Sequence, residues 1–263
     1  MPEPIRLVAC DLDGTIVGPD PPISQRTLDV FAQARASGIA IVAATGRGPS
    51  ALPDFGPTQV IDIAICSNGA VVVDMTTGMV LERNDIDGAL AESLIGDLRK
   101  GLPCSCFAWE SAEGYGYEDA FADHGQTLLA SLADTPVVDF DPSSPITKIF
   151  IAHDEFGYAT LVERVRDLAS APVEVTSAGL PFVVITAANV TKANALERLC
   201  AQRGIPASQV IAFGDSWNDL AMLKWAGTGV AMANANDDVK DAADDRTGPV
   251  ENDGVAAYLA KLL

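Results

Sequence analysis

Positive charge is scarce in this chain: 17 lysines and arginines stand against 36 aspartates and glutamates, a formal charge of -19 over 263 residues. That balance argues against nucleic acid and anionic membrane surfaces as partners, because both are themselves negative. It also sets a condition, since any phosphate site must supply its own local cation from a side chain or a metal. Long apolar runs are missing as well. None approaches the roughly 20 residues that span a bilayer, and the N-terminus lacks a basic, then apolar, then small-residue signal pattern. A cytoplasmic protein with no membrane partner is expected. Cysteine is sparse and scattered: Cys10, Cys66, Cys104, Cys106 and Cys200 are odd in number, which fits a reducing compartment. The C-x-C at Cys104 and Cys106 has no second pair at zinc-ligand spacing, so it reads as two packed or half-exposed thiols.

What remains is an ordinary globular composition, 48% hydrophobic and 20% charged, long enough for one large domain or two modest ones. The most informative stretch lies near the start. An apolar run from Ile5 to Cys10 stops at Asp11, Asp13 follows, and Gly14 and Thr15 close the turn. The run reads as a strand buried in a parallel sheet, and ligand crevices of such sheets lie beyond the carboxyl ends of the strands. Two carboxylates so close repel unless a proton or cation sits between them, and hard cations such as Mg²⁺ prefer oxygen ligands. Taken alone, the same D-x-D is also what a loop capped by aspartate looks like.

Further along, Gly18 to Pro22 reads as a loop and Ser24 as the N-cap of a helix to about Ser37, closed by Gly38. Ile39–Ala43 is a second strand ending in Ala44-Thr45-Gly46-Arg47, and Ile61–Cys66 a third ending in Ser67-Asn68-Gly69. Val71–Asp74 and Met79–Glu82 flank a hairpin turn. From Asn84 the alternation becomes irregular. Helices are expected from Asp87 to Leu98, over Ala120–Leu132 and over Glu155–Ala169, with strands at Ser105–Glu110, Ile146–Ala152, Val173–Thr176 and Phe182–Thr186. This pattern implies an inserted α+β domain over 84–186, between core segments 1–83 and 187–263.

The βα rhythm then returns. Thr191 caps a helix Lys192–Arg203, Val210–Phe213 is a strand running into Gly214-Asp215-Ser216-Trp217-Asn218-Asp219, and a terminal helix starts near Val255. Asp237 to Asp245 reads as a solvated helix face and its following loop. Lys192 is an independent clue, because a cation in a helix's first turn is unfavourable by about 0.3–1 kcal/mol unless an anion is near. A phosphate is one such anion; a lysine pointing into water is the plain alternative.

Jointly, D-L-D-G-T, A-T-G-R, S-N-G-A, V-T-K and G-D-S-W-N-D, in that order, resemble the haloacid dehalogenase-like phosphatase superfamily. The S-N-G-A segment, the place of the insertion and the ending G-V-A-M-A-N-A through E-N-D-G-V-A resemble its Cof-type branch with a C2B cap. The resemblance covers the whole core; the cap is similar in position and size but weak in motif. It implies a doubly wound, mainly parallel, Rossmann-like sheet with an inserted α+β cap that closes over the site and selects the leaving group.

Residue by residue, the resemblance implies Asp11 as the nucleophile that forms an aspartyl-phosphate and Asp13 as general acid, then base. It implies Thr45, Lys192 and Asn218 as holders of the phosphoryl group. Mg²⁺ would sit between the Asp11 carboxylate, the Asp13 backbone carbonyl and Asp215, with Asp219 in support. Asn189 and Ala193 stand where many relatives carry glycine. Trp109, Tyr115, Tyr117, His124 and Lys148 are candidates to line the cap, while His124 and His153 need no catalytic role. The expected substrate is a small phosphorylated metabolite, with sugar phosphates favoured and cofactor phosphates next, handled by a monomer or small homo-oligomer. A phosphomutase on the same core, or a mannosyl-3-phosphoglycerate or sucrose-phosphate phosphatase, would carry the same motifs. A non-catalytic sugar-phosphate sensor would not need Asp13 beside Asp11, and a cation-pumping ATPase would need membrane spans.

Overall fold

The computed structural model describes residues 3–19, 22–55, 58–132, 135–177 and 180–263. Along the chain, strand β1 (Leu7–Cys10) leads to helix α1 (Gln25–Ala36), then β2 (Ala40–Ala44), β3 (Ile63–Cys66), β4 (Val71–Asp74) and β5 (Val80–Arg83). Next come α2 (Gly88–Gly101), β6 (Ser105–Ser111), β7 (Tyr115–Tyr117), α3 (Gln126–Ser131), β8 (Ile146–His153), α4 (Tyr158–Leu168), β9 (Val173–Thr176) and β10 (Val183–Ala187). Then follow α5 (Lys192–Arg203), β11 (Val210–Gly214), α6 (Leu220–Trp225), β12 (Thr228–Ala231), α7 (Asp237–Ala242), β13 (Asp245–Arg246) and α8 (Gly254–Leu259). The fold is α/β and divides into two compact units, one of Met1–Arg83 with Thr191–Leu263 and one of Asn84–Val190.

In the first unit a single sheet runs β13-β12-β11-β1-β2-β3-β4-β5. It is parallel from β13 to β3, and only β4 and β5 run antiparallel to their neighbours. β1 is flanked by β2 and β11, the point where the strand order reverses and where such sheets open a crevice at their carboxyl edge. All four residues of β1 are buried, which is why the run is apolar without alternation. The Asp11 amide continues the ladder by donating to the Phe213 carbonyl at 3.0 Å, so its side chain emerges at that edge. Helix ends obey local chemistry. Ser24 Oγ accepts from the Thr27 amide at 3.1 Å, Thr191 Oγ1 accepts from the Asn194 amide at 3.0 Å, and Gly204 turns left-handed to close α5.

The second unit is an antiparallel sheet in the order β7-β6-β8-β10-β9. Alternation along its strands builds two cores. Leu94 and Leu98 of α2 and Leu161 and Val165 of α4 meet Phe107, Ile149 and Ile151 on one face. Tyr115, Phe121, Phe150 and Phe182 cluster on the other, with Phe150 and Phe182 edge to face at 5.6 Å.

Several boundaries differ from the sequence-based expectation. The stretch 120–132 is not one helix: Phe121, fully buried, anchors a short turn, and the Gly125 amide returns to the Phe121 carbonyl before α3 begins at Gln126. Helix α4 starts at Tyr158, not Glu155, because Gly157 is still extended. The end of the acidic segment is not loop, since Asp245 and Arg246 form β13, parallel to β12. Ala187 closes β10 opposite Val173, and the split between the units falls after Val190. Within the expected Gly18–Pro22 loop, Asp20 and Pro21 lie outside the described residues.

Candidate active site

Four segments of the first unit deliver side chains to the carboxyl edge of its sheet: the β1 end, the β2 end, the β11 end and the start of α5. Carboxylate oxygens of Asp11, Asp215 and Asp219 lie within 4.8 Å of one another. Lys192 Nζ sits 2.6 Å from Asp11 Oδ1 and 2.8 Å from Asp219 Oδ1, and its side chain is only 1% exposed. Those two carboxylates are the anions that offset the unfavourable placement of an ammonium in the first turn of α5. The Thr15 hydroxyl lies 3.2 Å from Asp215 Oδ1 and 3.4 Å from Asp11 Oδ2, so it bridges the first and last acidic segments. Asp219 is committed on both sides: Oδ2 accepts from the Asp215 and Ser216 amides at 3.1 and 3.0 Å while Oδ1 takes Lys192. Its position is therefore set by the turn it belongs to.

Crowding carboxylates beside a buried ammonium shifts Asp11 and Asp215. Burial raises the Asp11 pKa well above the ordinary carboxylate range, Lys192 pulls it back, and Asp219 and Asp215 add to the rise. Asp215 is pushed up to about 6, first by burial and then by Asp219, with the Thr15 hydrogen bond opposing. For Lys192 burial works against the charged form, but Asp11 and Asp219 outweigh it and hold the ammonium above the usual lysine value. The protein thus keeps more negative charge here than its own cation neutralises. An all-oxygen set of this kind is a seat for a hard divalent cation, which would remove the repulsion.

Asp13 stands apart. Its carboxylate is not among the clustered three; it is held as a two-pronged ion pair by Arg47, Nε to Oδ2 at 2.9 Å and the terminal nitrogen to Oδ1 at 2.7 Å. Thr45, fully buried, accepts from the Arg47 amide at 3.0 Å through Oγ1, which leaves its hydroxyl hydrogen as a donor. Asn218 donates from Nδ2 to Asn68 Oδ1 at 3.2 Å. Gly14 is required here on two counts: its φ is +83°, and a Cβ would stand 2.4 Å from Asp215 Oδ2.

Of the residues expected from sequence, the structure brings Asp11, Asp215, Asp219 and Lys192 into one cluster and places Thr45, Asn218 and the Arg47-paired Asp13 in the same unit. Sequence reasoning missed Thr15, Arg47 and Asn68. Thr15 and Asn68 were visible only as turn residues. Arg47 carried a better signal, being a cation at a strand end in a chain short of cations.

The second unit holds the other candidates. Trp109 belongs to the helix-side core, edge-on to Phe140 at 5.3 Å, which makes it a packing residue. Lys148 is buried in an ion pair with Glu110 at 2.7 Å and lies 5.1 Å from the Phe150 ring centroid. Tyr115 is buried beside Phe150 while Tyr117 is exposed. His124 reaches Asp154 at 3.0 Å. His153 is consumed structurally, facing the Pro103 carbonyl at 2.8 Å through Nε2 and accepting from the Glu155 amide at 3.1 Å through Nδ1. Asn189 takes φ of +60°, a conformation that asparagine tolerates and glycine adopts freely.

The sequence profile of haloacid dehalogenase-like hydrolases matches residues 8–259 of the chain. Pyridoxal phosphate phosphatase YbhA of Escherichia coli is 29% identical, over 97% of both chains. The 5-amino-6-(5-phospho-D-ribitylamino)uracil phosphatase YcsE of Bacillus subtilis is 28% identical, over 96% of this chain and 93% of its own. Among solved structures, the phosphatase BT1666 of Bacteroides thetaiotaomicron superposes with a TM-score of 0.84 at 28% identity, covering 98% of this chain and 95% of that one.

Proposed function

This chain belongs to the haloacid dehalogenase-like hydrolases and is a phosphatase, and from that premise we propose a Mg²⁺-dependent phosphomonoester hydrolase working through an aspartyl-phosphate on small phosphorylated metabolites. The observation that carries the reading is Asp11, buried, with Lys192 Nζ at 2.6 Å and a second acidic segment, Asp215 and Asp219, in the same cluster. A structural ion pair needs one carboxylate per ammonium; here two contact Lys192 and a third, Asp215, clusters with them.

Asp11 Oδ attacks phosphorus, forming the carboxyl–phosphate bond as the bond from phosphorus to the leaving alcohol breaks. Asp13 protonates the departing alkoxide, then takes a proton from the water that attacks phosphorus, so inorganic phosphate leaves and Asp11 is restored. In the resting arrangement both Asp13 oxygens accept from Arg47, and to act as acid Asp13 must part from it. An incoming phosphoryl anion competes for the same guanidinium, which links substrate arrival to that release. Lys192, the Thr45 hydroxyl and the Asn218 amide supply donors to the phosphoryl oxygens, as a loose transition state governed by positioning and charge requires. The Asp11 and Asp215 carboxylates with the Asp13 carbonyl would hold the Mg²⁺, and Asp219 keeps Asp215 and Lys192 in place. When bound, the ion neutralises phosphoryl oxygens that would otherwise repel a carboxylate nucleophile.

For substrates we propose sugar phosphates first. The names of YbhA and YcsE add phosphorylated cofactors and their precursors as the second group to try. The Asn84–Val190 unit takes the part of the cap that selects the leaving group. The test is phosphate release across both groups and a generic aryl phosphate, with and without Mg²⁺. Release that ignores chelation, or that survives Asp11→Asn, would overturn the mechanism.

A further inference from the structure

The turn after β3 makes more contacts with the site than a connection needs. Ser67, Asn68 and Gly69 take φ values of 51°, 58° and 108°, three consecutive residues in the left-handed region, two of them bearing side chains. Such backbone costs about 1 kcal/mol or more per non-glycine residue and persists where the surroundings hold it. Here the Ser67 amide donates to the Arg47 carbonyl at 2.8 Å and the Asn68 amide to the Thr45 carbonyl at 3.0 Å. Gly69 lies so close to the residue that caps α5 that a Cβ would stand 2.4 Å from the Thr191 carbonyl oxygen. One short turn therefore touches the loop of Thr45 and Arg47 and the N-cap next to Lys192.

The buried Asn68 amide of this turn reaches the segment that follows β11. Asn68 Oδ1 accepts from Asn218 Nδ2 at 3.2 Å, across 150 positions of sequence. Gly46 leaves just room for the pair, since a Cβ there would lie 3.2 Å from Asn68 Oδ1 and 3.9 Å from Asn218 Nδ2. Asn218 Oδ1 is buried with no hydrogen-bond partner among the described residues, so the amide is not placed to satisfy itself. A carboxamide can present either its oxygen or its NH₂ group toward a site, and a fixed acceptor on one side decides which. We infer that Asn68 is a positioning residue for the phosphoryl-binding amide: by accepting one Asn218 N–H it aims the other at the phosphoryl group. The inference rests on the reading of Asn218 as a phosphoryl-holding group.

The test uses the full chain, an aryl phosphate as substrate and inorganic phosphate as the bound probe. Asn68→Gly removes the amide while relaxing the left-handed backbone, and Asn68→Ser keeps a Cβ with a hydroxyl too short to reach Asn218. Each is expected to raise KM and the inhibition constant of phosphate about tenfold, the effect of one well-placed hydrogen bond, with a smaller change in kcat. Asn218→Ala is expected to do the same, and Asn68→Gly combined with Asn218→Ala no more than Asn218→Ala alone. If Asn218→Ala leaves phosphate binding unchanged, the reading of Asn218 falls and this inference with it. If Asn218→Ala weakens phosphate but the Asn68 variants do not, or if the two losses multiply to about a hundredfold, Asn68 does not act through Asn218 and the inference alone is overturned.

Discussion

Replacing Asp215 by asparagine is expected to make the metal-free protein more stable while destroying its use. Asp215 titrates at about 6 when folded, against an ordinary 3.8, because it is half-buried and faces Asp219. A raised acid favours folding only while protonated. Its contribution is fully present below about pH 4, declines as the pH climbs between the two values, and is gone above 6. Each pKa unit is worth about 1.4 kcal/mol, so at pH 7.5 the ionised group costs about 3 kcal/mol, trimmed to roughly 2–3 by solvent at its exposed side. Asparagine keeps an oxygen for the Thr15 hydroxyl, which now donates to Oδ1 at 3.2 Å, and carries no charge. In chelator at pH 7.5, Asp215→Asn is expected to melt roughly 4–12 °C above the unaltered protein, at about 2–4 °C per kcal/mol for a chain of this size. The gap is expected to close near pH 4 and to shrink or reverse in millimolar Mg²⁺, which stabilises only the protein that binds it. A variant that melts at the same or a lower temperature in chelator at pH 7.5 would refute the account of the cluster as charge held in waiting for a cation.

Other substitutions test neighbouring links. Lys192→Met strands Asp11 and Asp219 without their ammonium, and denaturant unfolding at neutral pH is expected to show a loss of about 3–5 kcal/mol, as when one partner of a buried pair is removed. Asp11→Asn is expected to lower Mg²⁺-dependent phosphate release from an aryl phosphate by about three orders of magnitude or more, in line with removal of a nucleophile, with secondary structure unchanged by circular dichroism. Gly14→Ala forces a side chain into a left-handed turn against Asp215 and is expected to cost about 1–2 kcal/mol of stability and to raise the Mg²⁺ concentration needed for half-maximal activity. Arg47→Ala frees both Asp13 oxygens and is expected to raise KM more than it lowers kcat, read from initial rates across substrate concentration.

What was legible in the sequence was mostly local. Leu7–Cys10 announces a buried strand by being apolar without alternation, Ser24 and Thr191 announce helices by the oxygen each offers to an amide three residues on, and Gly204 announces the end of α5. The bonds that shape the site are long-range and left no such trace. Arg47 finds Asp13 across 34 positions and Asn68 finds Asn218 across 150, and nothing in either side chain says which partner it will take. β13 escaped because a two-residue edge strand has no period to detect. The break at 122–125 escaped because the demand that sets it, the burial of Phe121, belongs to the tertiary core rather than to helix propensity.

The pairing of β1 with β11, Val8 beside Ile211, joins a strand made first to one made some 200 residues later. On the ribosome the opening segment must therefore wait, one flank of its hydrogen-bonding edge bare, while the whole Asn84–Val190 unit is synthesised. Asp11 meets Lys192 and Asp215 only after that delay, so translation products that stop short of α5 carry the proposed nucleophile with Asp13 and Thr45 but without the ammonium and the second acidic segment.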